Sequence, residues 1–136
     1  MNKRILLALT GALAAGPSAP ARAAPAQATS GLSDKQKLEQ AEDHLNRMKQ
    51  VLKQVIGRLE EARNEKDIVR LNCVNEKLTQ IKGLLRISEQ SDVSLQEAVA
   101  KKEASGAEHE YTKVTIARQK VDQLRSEAEE CIGQLA

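Results

Sequence analysis

The residue types best suited to chemistry are few. They are two cysteines, Cys73 and Cys131, two histidines, His44 and His109, and the run Glu108-His109-Glu110-Tyr111. A reactive thiol is usually one whose pKa is lowered, as in a C-x-x-C pair at a helix start. Cys73 stands in LNCVNEK and Cys131 in EECIG, 58 positions apart, and neither has that setting. Zinc takes three or four converging ligands, and two histidines on separate segments do not make such a set. Glu108 and Glu110 read as acids in the first turn of a helix, where they complement its dipole. Glu60-Glu61 and Glu129-Glu130 read as solvated helix faces. No nucleotide-binding glycine loop and no G-x-S-x-G occurs. The sequence therefore assigns no catalytic, cofactor-binding or metal-ligating residue, and the expectation is a protein that is not an enzyme and takes no cofactor.

The ends and the composition set the elements. MNKR supplies a positive start, ILLALTGALAA an apolar stretch too short for a bilayer span, and Ala21-Arg22-Ala23 a small-residue cleavage pattern. Residues 1–23 are expected to be a signal peptide cleaved near Ala23, which places the mature chain in the periplasm or outside the cell. No cysteine stands at the cleavage point to carry a lipid. The signal peptide holds Lys3, Arg4 and Arg22, so removing it leaves 18 of the chain's 21 basic residues against 19 acidic ones. That balance gives no global field for nucleic acid. Tyr111 is the sole aromatic residue besides the histidines, so stacking platforms for bases are missing as well.

A core built from Leu, Ile, Val and Ala suits helix seams. Residues 24–32, APAQATSGL, read as a flexible linker. Ser33 and Gln36 form a capping box, with Leu32 in staple position. From there Leu38, Ala41, Leu45, Met48, Leu52, Val55, Leu59 and Ala62 step by three and four, with Val51 and Ile56 widening the face. Gly57 within this stripe is expected to allow close helix approach. Asn64-Glu65-Lys66-Asp67 is a candidate turn. A second seam runs Leu71, Val74, Leu78, Ile81, Leu85, with Cys73, Leu84 and Ile87 beside it. It thins through Ser88-Glu89-Gln90-Ser91-Asp92 and resumes at Leu95 and Val99. Ser88 and Asp92 fall on the seam line, and this segment is expected to be a splayed, hydrated layer that fixes register, or a kink, with a recognition patch as the functional alternative. Glu103-Ala104-Ser105-Gly106-Ala107 is the clearest break. A third seam runs Val114, Ala117, Val121, Leu124, Ala128, Cys131, Leu135.

Two parsings compete, with the second turn near 90 or near 103–106. In an antiparallel hairpin, facing residues have a constant sum of numbers. Cys73 and Cys131 add to 204, so they face each other only if the turn centres near 102. The expectation is an all-α, antiparallel three-helix bundle, coiled-coil-like, over residues 33–136, with helices at about 33–63, 67–101 and 107–134. Helices one and three then run parallel, with Ser33 near the level of Ala107. His44 and His109 lie about 13 Å apart at 1.5 Å per residue, and both read as exposed. Two cysteines in an exported chain suggest one interhelical disulfide, Cys73 to Cys131. An intermolecular bridge or two free thiols are the alternatives.

The stretches LNCVNEKLTQIKGLLRISEQ and EAEECIGQLA resemble small exported helical proteins of Gram-negative bacteria with no assigned function. That resemblance implies no activity, ligand or catalytic residue. Trimeric periplasmic chaperones and murein-type lipoproteins are only broadly similar: the former have a β-sheet body and the latter a lipidated cysteine near the mature start, and this chain is expected to lack both. The function expected is a non-enzymatic structural or protein-interaction module of the cell envelope. The alternative is a chaperone-like or envelope-stress binder of unfolded protein or lipid surface. A protein partner or self-association is expected. Lys101, Lys102, Lys113, Arg118 and Lys120 could touch an anionic membrane surface, but Glu103, Glu108 and Glu110 interleave with them.

Overall fold

In a computed structural model of the chain, residues 29–133 are described. The expected signal peptide, residues 24–28 of the linker and Leu135 of the third seam lie outside the described residues. Three helices follow one another: α1 (Asp34–Asn64), α2 (Ile68–Ala100) and α3 (Ala104–Gly133).

Each helix starts and stops for a local reason. Ser33 caps α1, with its hydroxyl accepting from the Gln36 N–H at 3.2 Å. The Gln36 side chain in turn accepts from the Ser33 N–H at 2.9 Å. Two otherwise orphaned donors are thereby satisfied. Leu32 packs against the core beside this cap. Asp67 caps α2 by accepting from the Arg70 N–H at 3.1 Å.

The two turns are built on one plan. The Lys66 N–H donates to the Arg63 carbonyl and the Asp67 N–H to the Ala62 carbonyl, each at 3.1 Å. The Lys102 N–H donates to the Val99 carbonyl at 3.1 Å and the Glu103 N–H to the Ala98 carbonyl at 2.9 Å. Both are Schellman closures that need a left-handed residue after the cap. Lysine fills that place twice, Lys66 at φ 54° and Lys102 at φ 56°. The sequences match accordingly, EARNEKD over 61–67 and EAVAKKE over 97–103.

The third helix begins at Ala104, three residues before the expected start. The small run Ala-Ser-Gly-Ala lies inside its first turns. A Cβ added at Gly106 would lie 3.6 Å from the Ala98 Cβ, so the small residues there serve close approach of α3 to the end of α2. The close contact expected at Gly57 is not found. That residue is exposed, and an added Cβ would meet nothing within 4 Å.

Register follows from contacts between helices. Cys73 with Cys131, Lys77 with Glu127, and Ala98 with Gly106 all have numbers adding to 204, so α2 and α3 run in opposite directions. Gln40 with Tyr111 and Arg58 with Glu129 both differ by 71, so α1 and α3 run together. All three helices contribute to one core. Met48, Val51 and Val55 of α1, Val74, Ile81 and Leu95 of α2, and Val114 and Val121 of α3 are wholly buried. Each such side chain contributes about 1.5–3 kcal/mol over its exposed state.

The thin layer of α2 is closed. Ser88 and Ser91 are 1% and 3% exposed, and α2 runs through them as unbroken helix. The expected splayed layer does not occur: Ser88 sits in the core, its hydroxyl 3.7 Å from the Met48 sulfur of α1. Asp92 moves to the α1 side of the face and is half-buried, while Ser91 and Ala98 take the inner places given to Asp92 and Val99.

Candidate functional site

Cys73 and Cys131 are joined in a disulfide, with their α-carbons 5.8 Å apart. Cys131 is buried in the core and Cys73 half-buried at its edge. The bond ties the first turns of α2 to the end of α3. Lys77 and Glu127, 3.6 Å apart, continue that tie one turn further in. Among the described residues no cysteine is free.

The opposite end is tied by charge. Glu108 of α3 is 9% exposed. Its carboxylate accepts from the Ser30 N–H, from the Ser30 hydroxyl at 2.9 Å, and from the Lys37 ammonium at 3.1 Å. Lys37 is itself buried on α1, with Asp34 at 4.0 Å as its second carboxylate. Burial by itself would push the Glu108 carboxyl up. The Ser30 N–H, Lys37 and the Ser30 hydroxyl together hold it below the usual glutamate value. Two expectations change here. Glu108 lies in the second turn of α3 and is a buried tie, not a dipole partner in the first turn. From Ser30 to Leu32 the segment read as flexible linker is docked on α1 and α3.

The histidines do not converge. His44 is half-buried between α1 and α3, its ring centroid 6.3 Å from that of Tyr111. The buried Tyr111 hydroxyl donates to Gln40 at 2.7 Å. Burial lowers the His44 pKa, and Arg118 lowers it further against opposition from Asp43 and Asp122. His109 is exposed. Among the described residues no group of three or more His, Cys, Asp or Glu side chains could hold a metal ion.

Charged pairs lace the α1–α3 seam. Arg47 meets Asp122 at 3.3 Å, and Asp122 also takes Arg118 at 3.2 Å. Arg58 meets Glu61 at 2.8 Å and Glu129 at 2.9 Å. These carboxylate contacts raise the pKa of Arg58, first through the hydrogen bond that its guanidinium donates to Glu129. Glu61 and Glu129 are thus a clamp on one guanidinium, beyond the plain solvated faces expected of them. Ser88 meets its polar need locally, donating to the Leu84 carbonyl at 2.7 Å with the Met48 sulfur 3.7 Å away. A hydroxyl bonded to its own helix costs little inside a core.

Large apolar side chains remain on the outside. Ile87 and Val93 of α2 and Ile116 of α3 are each more than half exposed, as are Ile68 and Val69 at the start of α2. Ile87 was expected beside the seam and instead points outward. Ile116 was not singled out in the sequence. Its signal was an isoleucine out of phase with Val114, Ala117 and Val121. Leu84 and Ile87 line a shallow groove of about 280 Å³ together with Gln80, Gly83 and Lys120.

What these features define is a class: a disulfide-tied three-helix bundle with an apolar groove on its α2–α3 side. Comparison with protein-family models, with curated proteins and with solved structures finds no match.

Proposed function

We propose that the chain is an exported, non-enzymatic interaction module of the cell envelope that binds a protein partner through a helix face. The observation that carries this reading is the outer α2–α3 face. The core is already complete without Ile87 and Ile116, yet both stand exposed, Ile87 lining the α2–α3 groove and Ile116 close to its level on α3. Apolar side chains grouped on a surface mark an interaction site more often than chance placement does. The disulfide is compatible with an oxidising, exported location. No helix among the described residues is long and apolar enough to cross a membrane. The disulfide and the charged ties fix the relative placement of the helices, so the face is offered in one geometry and little entropy is lost on binding.

The test is crosslinking in living cells with a photoreactive amino acid placed in turn around the bundle surface, followed by mass spectrometry of the captured chains. A partner crosslinked from a contiguous face supports the reading. No capture from any position, or a turnover detected in purified protein, would end it. Suppression of client aggregation together with binding of a hydrophobic dye would favour the chaperone-like alternative.

A further inference from the structure

The α1–α3 seam carries one more cation than its carboxylates pair. Asp122 gives one oxygen to Arg47 at 3.3 Å and the other to Arg118 at 3.2 Å. Glu129 gives both oxygens to Arg58, at 3.0 and 2.9 Å, and Glu61 takes the same guanidinium at 2.8 Å. Arg125 stands between these two clusters, three residues after Asp122 and four before Glu129. Those are the acids that its own helix brings within reach, and both are engaged elsewhere. No ion pair joins Arg125 to any of the described residues. Four guanidinium groups thus stand against three carboxylates along this seam.

Burial makes the excess matter. The Arg125 Nε is buried and has no hydrogen-bond partner among the described residues. Three other buried polar atoms share that lack, on Arg70, Glu110 and Arg118, but each has an opposite charge within 3.3 Å. Among the four, Arg125 alone has neither. A charged donor left unpaired at a buried place costs stability instead of adding to it. Arg125 also lines a shallow groove of about 490 Å³ with Gln54, Gly57, Arg58, Glu61 and Glu129. Gln54 lies level with it, in the register where α1 and α3 numbers differ by 71. One turn on, Gly57 leaves the α1 wall open, since an added Cβ would meet nothing within 4 Å.

We propose that this groove is a carboxylate-binding site with Arg125 as its receptor. The carboxylate takes N–H groups of the guanidinium fork, and the Gln54 amide supplies a further donor. One negative charge cancels the excess of the seam. A phosphate dianion would overshoot it and would face Glu61 and Glu129 in the same groove, so the arrangement selects the monoanion. The carboxylate comes either from a protein, as a chain terminus or acidic side chain, or from a small organic acid; the recognition chemistry is the same. The site lies on the α1–α3 side, apart from the α2–α3 face proposed above, and stands independently of it.

The experiment titrates the purified oxidised protein at constant ionic strength and mildly alkaline pH, where phosphate is dianionic. The probes are sodium acetate, inorganic phosphate, and a short peptide with a free C-terminal carboxylate. Nuclear magnetic resonance follows the arginine side-chain N–H signals and the backbone amides. Acetate and the peptide should shift the Arg125 Nε–H signal and the amides of residues 54–58 and 122–129, with phosphate clearly weaker. Arg125→Lys keeps the charge but loses the fork, and should weaken binding by about tenfold. Arg125→Met should abolish binding and leave the thermal midpoint unchanged or higher, because it removes an unpaired charge. A clear fall in that midpoint would assign Arg125 a structural partner and overturn the proposal. So would phosphate binding as tightly as acetate, or shifts that survive Arg125→Met. Absence of any shift, as for a guanidinium satisfied by water alone, would overturn it too. A peptide that binds tighter than acetate and loses the gain on C-terminal amidation supports the site with a protein source. Equal affinity of peptide and acetate supports it with a small acid.

Discussion

The two ends of the bundle solve one problem by different physics. At one end α2 is joined to α3 by a covalent bond, Cys73 to Cys131. At the other, α3 is joined to α1 and to the segment before it by Glu108, Lys37 and Ser30. The first tie acts chiefly by restricting the unfolded chain and is indifferent to pH and salt. The second exists only while Glu108 is ionised. The comparison teaches that a thin helical core with Tyr111 as its single large aromatic is reinforced at both ends, and that only one reinforcement is conditional.

The largest expected effect comes from breaking the covalent end. Closing a loop of 58 residues is worth about 4 kcal/mol in the chain-entropy model. Replacing both cysteines by serine should therefore lower the thermal midpoint by about 15–20 °C for a domain of this size. The drop should be the same at pH 4 and pH 7. A drop of only a few degrees would mean that the charged ties dominate.

Glu108→Gln should come next, at about 2–3 kcal/mol near neutral pH, since it strips charged hydrogen bonds from a buried site. The sign of its pH dependence follows from the lowered pKa. The stabilisation is full above the carboxyl's ordinary, unfolded value and is lost as pH falls through the lower, folded value. Chemical denaturation of both proteins should converge in acid. A gap that persists at low pH would assign Glu108 a packing role instead.

The turns allow a finer comparison, because their backbones match. Lys66→Gly and Lys102→Gly should each stabilise by about 0.5–1 kcal/mol, glycine being free of the left-handed penalty. Similar gains at both sites would confirm that the turns are equivalent. The caps that follow them are not. Asp67→Ala should cost about 1 kcal/mol, because its side chain holds the Arg70 N–H. Glu103→Ala should cost less, since the bond made at that position runs from the Ala107 N–H to the Glu103 carbonyl, which alanine keeps. Equal costs would show that Asp67 acts through charge and not as a cap.

Much of this architecture was legible as pattern. The step of three and four named Ala41, Leu45, Met48 and Val55 as core on α1, and Val114, Val121 and Leu124 on α3. The capping box at Ser33 and the turn at Asn64–Asp67 were equally readable, because each depends on neighbours in sequence. Less visible was the turn at Lys101-Lys102. Lysine in a left-handed conformation has no sequence signature, and the glycine nearby drew attention to the wrong residues. The match between EARNEKD and EAVAKKE was the available signal.

The candidate groove was harder to read for a different reason. Ile87 lies within one helical turn of Leu84 and Leu85, and periodicity places all three on one broad face. Whether such a face is covered depends on where the neighbouring helices sit. Glu108 shows the same limit from the polar side: an acid near a helix start looks solvated until Lys37 and Ser30 arrive from 71 and 78 residues away.

By itself the sequence determined the helices, their apolar stripes, and, through two cysteines, the register of α2 on α3. These are local or pairwise facts, set by spacing along one chain. Only the tertiary structure decided which stripe edges are closed and which stay open. It enclosed Ser88, Ser91, Lys37 and Glu108 and left Ile87 and Ile116 in water. The reason is geometric. Three cylinders packed together bury the sides that face the common axis, and the width of that shared side depends on how closely small residues such as Gly106 and Ala98 let the axes approach.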